Sequence, residues 1–442
     1  MSPATTLLRR RKRGLLIAGF VVVAVAAAWS PVCLWRAGLA GYQRDVRSQE
    51  WWLAAAGFLP WPRGELAFQQ ARLARQLGRP EEFASAMREA QAAGYSSDGL
   101  RRELILQQAQ VGELKPLEQH LGEWLLEGED LPAICEAYVS GCIQQYRIPE
   151  AHQVLDLWQK DFPDDPQPRF LRGRLFEHQY DLERAQAEFS QALEIAPRYA
   201  PAAFNLGRIL VSRQQLEPAL RAYRQAAALL AEPQPALVGI ARCQRGLGDP
   251  AAARTTMEHA LARPSDQLED AYRYVGERSE TALAQAPAEM AQLEIEAGND
   301  AAAVKWLEQA LQAYPQDWKL RYTYSTTLQR LGRQEDAEQE AQQSDRSRVA
   351  MESCDRLFDA LGKNPADVEA RYHIGCVLLE HLSTNQGLVW LNSVLTFDPQ
   401  HRPTHARLAE YFAAHASDHP DYPRLAEEHR RAAAEPASPP AP

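Results

Sequence analysis

The chain has 442 residues, is 45% hydrophobic and carries a formal net charge of −10. Residues 9–13 contribute +5, so the remainder carries −15, and such an acidic chain is not expected to bind nucleic acid by neutralising its phosphates. Its six cysteines include no C-x-x-C pair, which excludes the usual cysteine-rich metal and haem motifs. Arginine outnumbers lysine 42 to 6, a composition that we take to indicate a GC-rich bacterial genome.

The first predicted element is the segment 14–35, an apolar run without a charge that extends from Gly14 to Trp35. A helix of this segment is long enough to cross a bilayer. The basic residues 9–13 precede it, and such a flank stays in the cytoplasm. We therefore predict a single-pass inner-membrane protein with a cytoplasmic N-terminus and an extracytoplasmic (periplasmic) remainder. The alternative is a cleaved signal peptide, with the alanines at 26–28 as the cleavage site.

Residues 64–267 repeat one pattern at a fixed interval. The stretch FLRGRLF begins at Phe170, and its near-copy FNLGRIL begins at Phe204. Further along each copy comes an alanine, Ala185 or Ala219, followed by a larger apolar residue and another small one. Both halves of each unit carry apolar residues at three- and four-residue spacing, which is typical of amphipathic helices. A period of about 34 residues therefore predicts an array of stacked helix–turn–helix units.

This pattern resembles that of the tetratricopeptide repeat (TPR) family, W-x2-L-G-x2-Y, then A-x3-F, then P. One unit matches it at Leu206, Gly207, Leu210, Ala219 and Tyr223. The unit before matches at Gly173, Phe176, Ala185, Phe189, Ala192 and Pro197. Tyr146 and Tyr180 depart from it, since they replace the glycine that other units place at the turn. The resemblance implies an all-α, right-handed superhelical solenoid of about nine to ten repeats, preceded by one transmembrane helix.

Two segments of equal length interrupt the period. The second reads as the continuation of one long helix, which we expect to project beyond the stack. Either insertion could cover the groove or contact a partner, or be an elaboration without a role. The predicted segments are a basic tail (1–13), an anchor or signal peptide (14–35), a leading half-repeat (36–63), six TPR units (64–267), a helical insertion (268–283), two TPR units (284–351), a helical insertion (352–367), a C-terminal TPR and capping unit (368–434), and a disordered tail (435–442).

Seven of the eleven histidines lie between His373 and the C-terminus. His401 and His405 are four residues apart, as are His415 and His419, and this spacing on a helix would bring two metal ligands together. However, Pro403 interrupts the first pair, and no acidic or cysteine ligand has a matching spacing. The chain also contains no catalytic motif. We therefore predict no metal, no cofactor and no enzymatic activity, with a metal-binding enzyme as the less favoured alternative.

The resemblance implies that the protein is a scaffold that binds peptide segments or partner helices in a concave groove lined by the first helices. In the family, positions 2, 5, 9, 12 and 13 of each first helix face this groove. An arginine occupies position 9 in four units and a phenylalanine occupies position 5 in three of them. The predicted partner-binding residues are Phe68, Arg72, Phe170, Arg174, Phe204, Arg208, Arg242 and Arg245.

Arginine suits carboxylates, because its guanidinium group can contact both oxygens. We therefore predict that the partner is an acidic peptide or a C-terminal carboxylate. The arginines would be the anion contacts, and Phe170 and Phe204 would be apolar platforms. The alternative is that the arginines pair with nearby glutamates such as Glu177. A second functional hypothesis is an accessory subunit that docks a catalytic partner.

Overall fold

The computed structural model describes residues 29, 31–41, 44–57, 63–262, 268–277 and 281–434. Within these ranges every regular element is a helix, as the sequence predicts. The helices are α1 (31–41), α2 (Val46–Ala56), α3 (Arg63–Gln76), α4 (Pro80–Ala92), α5 (Ser97–Gln110), α6 (Leu114–Glu127), α7 (Leu131–Gln144), α8 (Ile148–Asp161), α9 (Gln167–His178), α10 (Leu182–Ile195), α11 (Ala200–Ser212), α12 (Leu216–Leu229), α13 (Gln234–Gly246), α14 (Pro250–Leu261), α15 (Leu268–Tyr274), α16 (Ala282–Glu296), α17 (Asp300–Ala313), α18 (Trp318–Arg330), α19 (Gln334–Lys363), α20 (Val368–His381), α21 (Thr384–Phe397), α22 (Arg402–Ala414) and α23 (Tyr422–Ala434).

Within the described residues, the two helices of a repeat pack on each other in the pairs α3–α4, α9–α10, α11–α12, α16–α17, α18–α19, α20–α21 and α22–α23. By its contacts the chain divides into two compact units. Unit 1 comprises Met1–Gln107, Asp156–Ala236 and Asp270–Glu277, and unit 2 comprises Gln108–Leu155, Leu237–Glu269 and Arg278–Pro442. Each unit is described by itself below.

In unit 1 the two helices of a repeat approach closely where one residue is small. A Cβ atom on Gly173 of α9 would lie 2.7 Å from the ring of Phe189 on α10. Gly207 of α11 has the same relation to Tyr223 of α12, at 3.0 Å. The alanine at the start of each second helix, Ala185 or Ala219, is completely buried. The periodic small residues are therefore packing residues that set how the helices of each repeat fit together.

In eight repeats of the described chain, the turn between the two helices contains a residue with positive φ. Glycine supplies it in five of them, as at Gly78 with φ of 67°. Tyr146 and Tyr180 occupy the same position with φ of 56° and 59°, so the turn keeps its conformation without glycine. Tyr180 is 88% exposed, whereas in unit 2 the ring of Tyr146 packs against Phe358 and Trp390.

A buried arginine on α20 stabilises the turn at Tyr146 within unit 2. The side chain of Arg371 is fully buried and has its guanidinium carbon 4.5 Å from the ring centroid of Phe397. It donates hydrogen bonds to the carbonyls of Pro365 and Gln145, at 2.8 and 2.7 Å. Burial, with the nearby charge of Arg147, lowers the pKa of Arg371 to about 10. The group remains a cation at neutral pH, and main-chain carbonyl dipoles stabilise it.

The long helix α19 does not project beyond the stack as we expected. Its distal half packs on α20 in unit 2, where Cys354 and Leu361 are buried against Ala370 and Ile374. Apolar residues at helical spacing in this half account for the difference, because leaving them in water would be unfavourable. The first insertion contains the short helix α15 and the segment that follows it to Glu277.

None of the helices in the described ranges combines the length and apolarity that a membrane span requires. The predicted single-pass inner-membrane location is therefore wrong. The end of the predicted span belongs to α1, where Cys33 and Ala37 are buried in contacts with α2 and its neighbours rather than facing outward. Residues 1–28 and 30, which include the basic tail and the alanines at 26–28, lie outside the described residues, as does the tail at 435–442.

The closest approach in unit 2 gives a stability test. A Cβ on Gly141 of α7 would lie 2.4 Å from the carbonyl oxygen of Ala109, a main-chain atom that cannot move aside freely. We expect Gly141→Ala to lower the free energy of unfolding by roughly 1–3 kcal/mol in urea titration. The control is Gly122→Ala on α6, where nothing lies within 4 Å, and we expect it to raise the same quantity by about 0.5–1 kcal/mol. Equal effects of the two variants would contradict the packing described here.

The two turn tyrosines should respond in opposite directions to glycine. Left-handed backbone costs a non-glycine residue roughly 1–2 kcal/mol, so Tyr180→Gly should raise the free energy of unfolding by about 1 kcal/mol. Tyr146→Gly removes the same backbone strain, but it also removes a ring that packs on Phe358 and Trp390. Loss of a packed aromatic ring costs about 3 kcal/mol, which outweighs the strain removed. Urea titration should therefore show stabilisation by the first variant and destabilisation by the second.

Candidate functional site

The predicted arginines of repeats 4 and 5 come together in unit 1. Arg174 and Arg208 directly follow Gly173 and Gly207, so the repeat places them at equivalent points of α9 and α11. Both donate to one acceptor, the side-chain oxygen Oδ1 of Asn205, from Arg174 Nη1 at 3.2 Å and Arg208 Nη2 at 2.7 Å. Asn205 is completely buried. These three residues, Arg174, Asn205 and Arg208, are called the arginine–asparagine site below.

The chain's own first insertion lies against this site. Asn205 Nδ2 donates to the carbonyl of Val275 at 2.7 Å, and Arg174 Nη1 donates to the carbonyl of Gly276 at 2.9 Å. Arg208 Nε lies 3.1 Å from Oε1 of Glu277, which makes an ion pair. The site therefore binds two successive main-chain carbonyls and the carboxylate that follows them.

The bound segment is the end of a helix rather than an extended strand. The N–H of Gly276 donates to the carbonyl of Arg273 at 3.0 Å, and the N–H of Glu277 donates to that of Tyr272 at 2.9 Å. With Gly276 at φ of 86°, this is the pattern by which a glycine closes the C-terminus of a helix, here α15. The cap thus satisfies the carbonyls of Tyr272 and Arg273 within the segment. The carbonyls of Val275 and Gly276, the two residues that follow α15, accept from Asn205 and Arg174 instead.

The charges of the site balance only with the inserted segment in place. Arg208 also binds Glu177, with Nη2 2.6 Å from Oε2. Burial opposes ionisation of Glu177, but Arg208 and Arg174 outweigh it and lower the pKa of this carboxyl. Burial, with the adjacent charge of Arg208, lowers the pKa of Arg174. Two guanidinium groups thus face two carboxylates, Glu177 from α9 and Glu277 from the insertion.

The predicted phenylalanines are core residues in this structure. Phe170 is 8% exposed and packs against Phe189 and Tyr199. Phe204 is 5% exposed and contacts Tyr223 edge-on. Neither ring offers an open platform, because both fill the space beside the small residues of their repeats. The predicted role of these rings in partner binding stays a prediction.

The remaining predicted site residues also have partners. In unit 1, Phe68 is buried and stacks on Tyr95, while Nε of Arg72 lies 4.0 Å from Glu103 Oε2. In unit 2, Arg242 and Arg245 both contact the buried Glu289, with Nε–oxygen distances of 3.3 and 2.7 Å. The hypothesis that arginines pair with nearby glutamates thus describes these contacts and that of Arg208.

Sequence reasoning missed Asn205 and the residues that bind it. Asn205 lies between Phe204 and Leu206 in the near-copy stretch, at the position that Leu171 occupies in the preceding unit. A polar residue at the position where the preceding unit has a leucine is the feature of the sequence that could have identified Asn205. Val275–Glu277 lie much further along the chain, and their only signal is that they belong to an insertion that breaks the period.

The C-terminal histidines form a pair that spacing did not predict. In unit 2, His405 of α22 lies with Nδ1 2.8 Å from Nδ1 of His429 on α23. His401 instead contacts Thr404 and Glu369. No group of three or more possible metal ligands occurs among the residues that the structure describes. His405 Nε2 donates to the carbonyl of Pro399, so His405 Nδ1 accepts a hydrogen bond from the Nδ1–H of His429.

No protein-family model and no curated protein matches the sequence. Solved structures with a similar fold include the APC/C hetero-tetramer Cut9–Hcn1, with 12% identity, a TM-score of 0.46 and coverage of 87% of this chain and 67% of that one. A TPR protein from Parabacteroides merdae has 12% identity, a TM-score of 0.35 and coverage of 68% and 98%. PilW, a type IV pilus biogenesis factor, has 17% identity, a TM-score of 0.41 and coverage of 48% and 91%. All three have TM-scores below 0.5. The structure of this chain by itself shows an all-helical fold with successive helices packed in pairs.

The histidine pair predicts a pH-dependent stability. Burial, together with the neighbouring His405, lowers the pKa of His429 below its ordinary value. The folded chain therefore keeps His429 neutral, whereas the unfolded chain takes up a proton at about pH 6.5. Falling pH then favours the unfolded chain, so the pair stabilises the fold above about pH 6.5 and progressively less below it. Thermal melts from pH 7.5 to 5.5 should lose less stability in His429→Gln than in the wild type, and parallel losses would contradict this assignment.

Proposed function

We propose that this protein is a non-enzymatic interaction scaffold that binds a helical or peptide segment of a partner protein along the first helices of its repeats. The observation that carries the proposal is the contact of Arg174, Asn205 and Arg208 with Val275–Glu277. The surface formed by α9 and α11 already holds a polypeptide segment by its carbonyls and a carboxylate. A segment of a partner can supply the same groups.

The partner should be acidic at its point of contact. Each guanidinium group can donate several hydrogen bonds in a fixed plane, which suits a carboxylate from an acidic side chain or from a chain terminus. Arg208 is 29% exposed and Arg174 is 21% exposed, so a partner group can reach both while solvent screening stays reduced. Glu177 and Glu277 already offset the two positive charges, so a partner carboxylate would take the place of Glu277.

A peptide-display selection on the purified full chain at low salt tests the proposal. We expect enriched peptides to contain an acidic residue and to bind the Arg174→Ala/Arg208→Ala variant at least tenfold more weakly than the wild type. That ratio corresponds to about 1.4 kcal/mol of binding free energy. Binding is measured by titration of each synthetic peptide.

The matched control is Arg221→Ala/Arg224→Ala. Both residues are exposed arginines on α12, the second helix of their repeat, so the variant removes the same net charge from outside the site. We expect it to bind the peptides like the wild type. Equal weakening by both variants would mean that only net charge matters, and unchanged binding to the first would place the binding surface elsewhere.

A further inference from the structure

The helix α15 belongs to the first insertion, and its C-terminal end fills the arginine–asparagine site. We propose that this helix end is an internal ligand, and that a partner helix with the same terminal chemistry binds by displacing it. The inference rests on the proposed function, because it names both the occupant of the same site and the kind of partner that replaces it. The alternative is that α15 is a permanent structural strut.

The contacts define what the site recognises. Two of the three are made to main-chain carbonyls, those of Val275 and Gly276, which a helix closed by a left-handed glycine presents in the same arrangement. The site thus recognises mainly the backbone conformation of the segment and, through one contact, a side chain. Positive groups beside these carbonyls also interact favourably with the negative end of the helix dipole.

Three side-chain features limit which partner helices can fit the site. Val275 is completely buried, so the residue before the cap must be apolar. A Cβ on Gly276 would displace Nη1 of Arg174, which lies 2.4 Å from its position, and a φ of 86° is strained for other residues, so the cap favours glycine. Glu277 supplies the carboxylate to Arg208. The partner is therefore a helix that ends in an apolar residue, a glycine and an acidic residue.

The charge of the site explains why an occupant is needed. Without Glu277, Arg174 and Arg208 would face Glu177 alone, and two guanidinium groups that share the acceptor Asn205 Oδ1 would repel each other. The insertion brings the second carboxylate. A partner without an acidic residue at this point cannot replace α15 without leaving a partly buried positive charge unpaired, which is unfavourable.

A second set of contacts holds the last two residues of α15 independently of the site. Arg273 Nη1 donates to the carbonyl of Gly78 at 2.9 Å. Tyr274 packs in a cluster that includes Leu53, Leu73 and Leu77. The cap residues can therefore leave the arginine–asparagine site while the helix stays attached, and the tethered end competes at an effective concentration on the order of millimolar.

The test measures binding of a labelled synthetic peptide with the sequence of residues 268–277 to the full-length chain by fluorescence anisotropy. Glu277→Gln weakens the internal ligand and leaves the site intact, so we expect it to bind the peptide at least fivefold more tightly than the wild type. Gly276→Ala should do the same through its clash with Arg174. Adding Arg208→Ala to Glu277→Gln should weaken binding at least tenfold, and so should replacing the terminal Glu of the peptide by Gln.

The matched control is Glu269→Gln, the same chemical change at an exposed position of α15 that lies outside the site. It should bind the peptide like the wild type. Equal binding to the wild type and to Glu277→Gln, whether strong or absent, would overturn the internal-ligand proposal and identify α15 as a strut. If the display selection still yields arginine-dependent peptides in that case, the proposed function stands and only this inference fails.

Discussion

The close approach of the paired helices is the constraint on which the rest of this structure depends. At Gly173 and Gly207 a methyl group would meet the ring of the facing helix, and Ala185 and Ala219 are completely buried. Close packing of this kind fixes the position of each first helix on its second helix. Any residue one step beyond such a glycine therefore points in the same direction in successive repeats.

The arginine–asparagine site follows from this register. Arg174 and Arg208 come immediately after the two glycines, so like charges lie side by side and share Asn205 Oδ1. Adjacent cations need acceptors, and the chain provides Glu177 from α9 and the capped end of α15 from the insertion. The same close packing in successive units thus creates the arginine–asparagine site, because each repeated glycine is followed by an arginine.

The sequence predicted those features that repeat and missed those that do not. The all-helical class and the packed helix pairs of the described residues follow from periodic residues such as Ala219 and Tyr223, because a stacked repeat uses each packing contact again. Phe170 was predicted from its position in the repeat to line the groove, and spacing alone could not show that its ring packs against Phe189 and Tyr199. The apolar run at 14–35 suggested a membrane span, yet its described end packs Cys33 into protein core. The contact between Asn205 and Val275 joins residues 70 positions apart across an interruption of the period, so no local pattern could reveal it.

Hydrogen–deuterium exchange of the segment 268–277 tests most directly whether the arginine–asparagine site holds the end of α15. The amides of Gly276 and Glu277 are hydrogen-bonded within the cap, so they exchange slowly only while that cap is held in place. We predict that Arg174→Ala/Arg208→Ala speeds exchange of this segment at least tenfold, and that Arg221→Ala/Arg224→Ala leaves it unchanged. Exchange at the wild-type rate in the first variant would contradict the account, because the helix end would then be held by something other than the site.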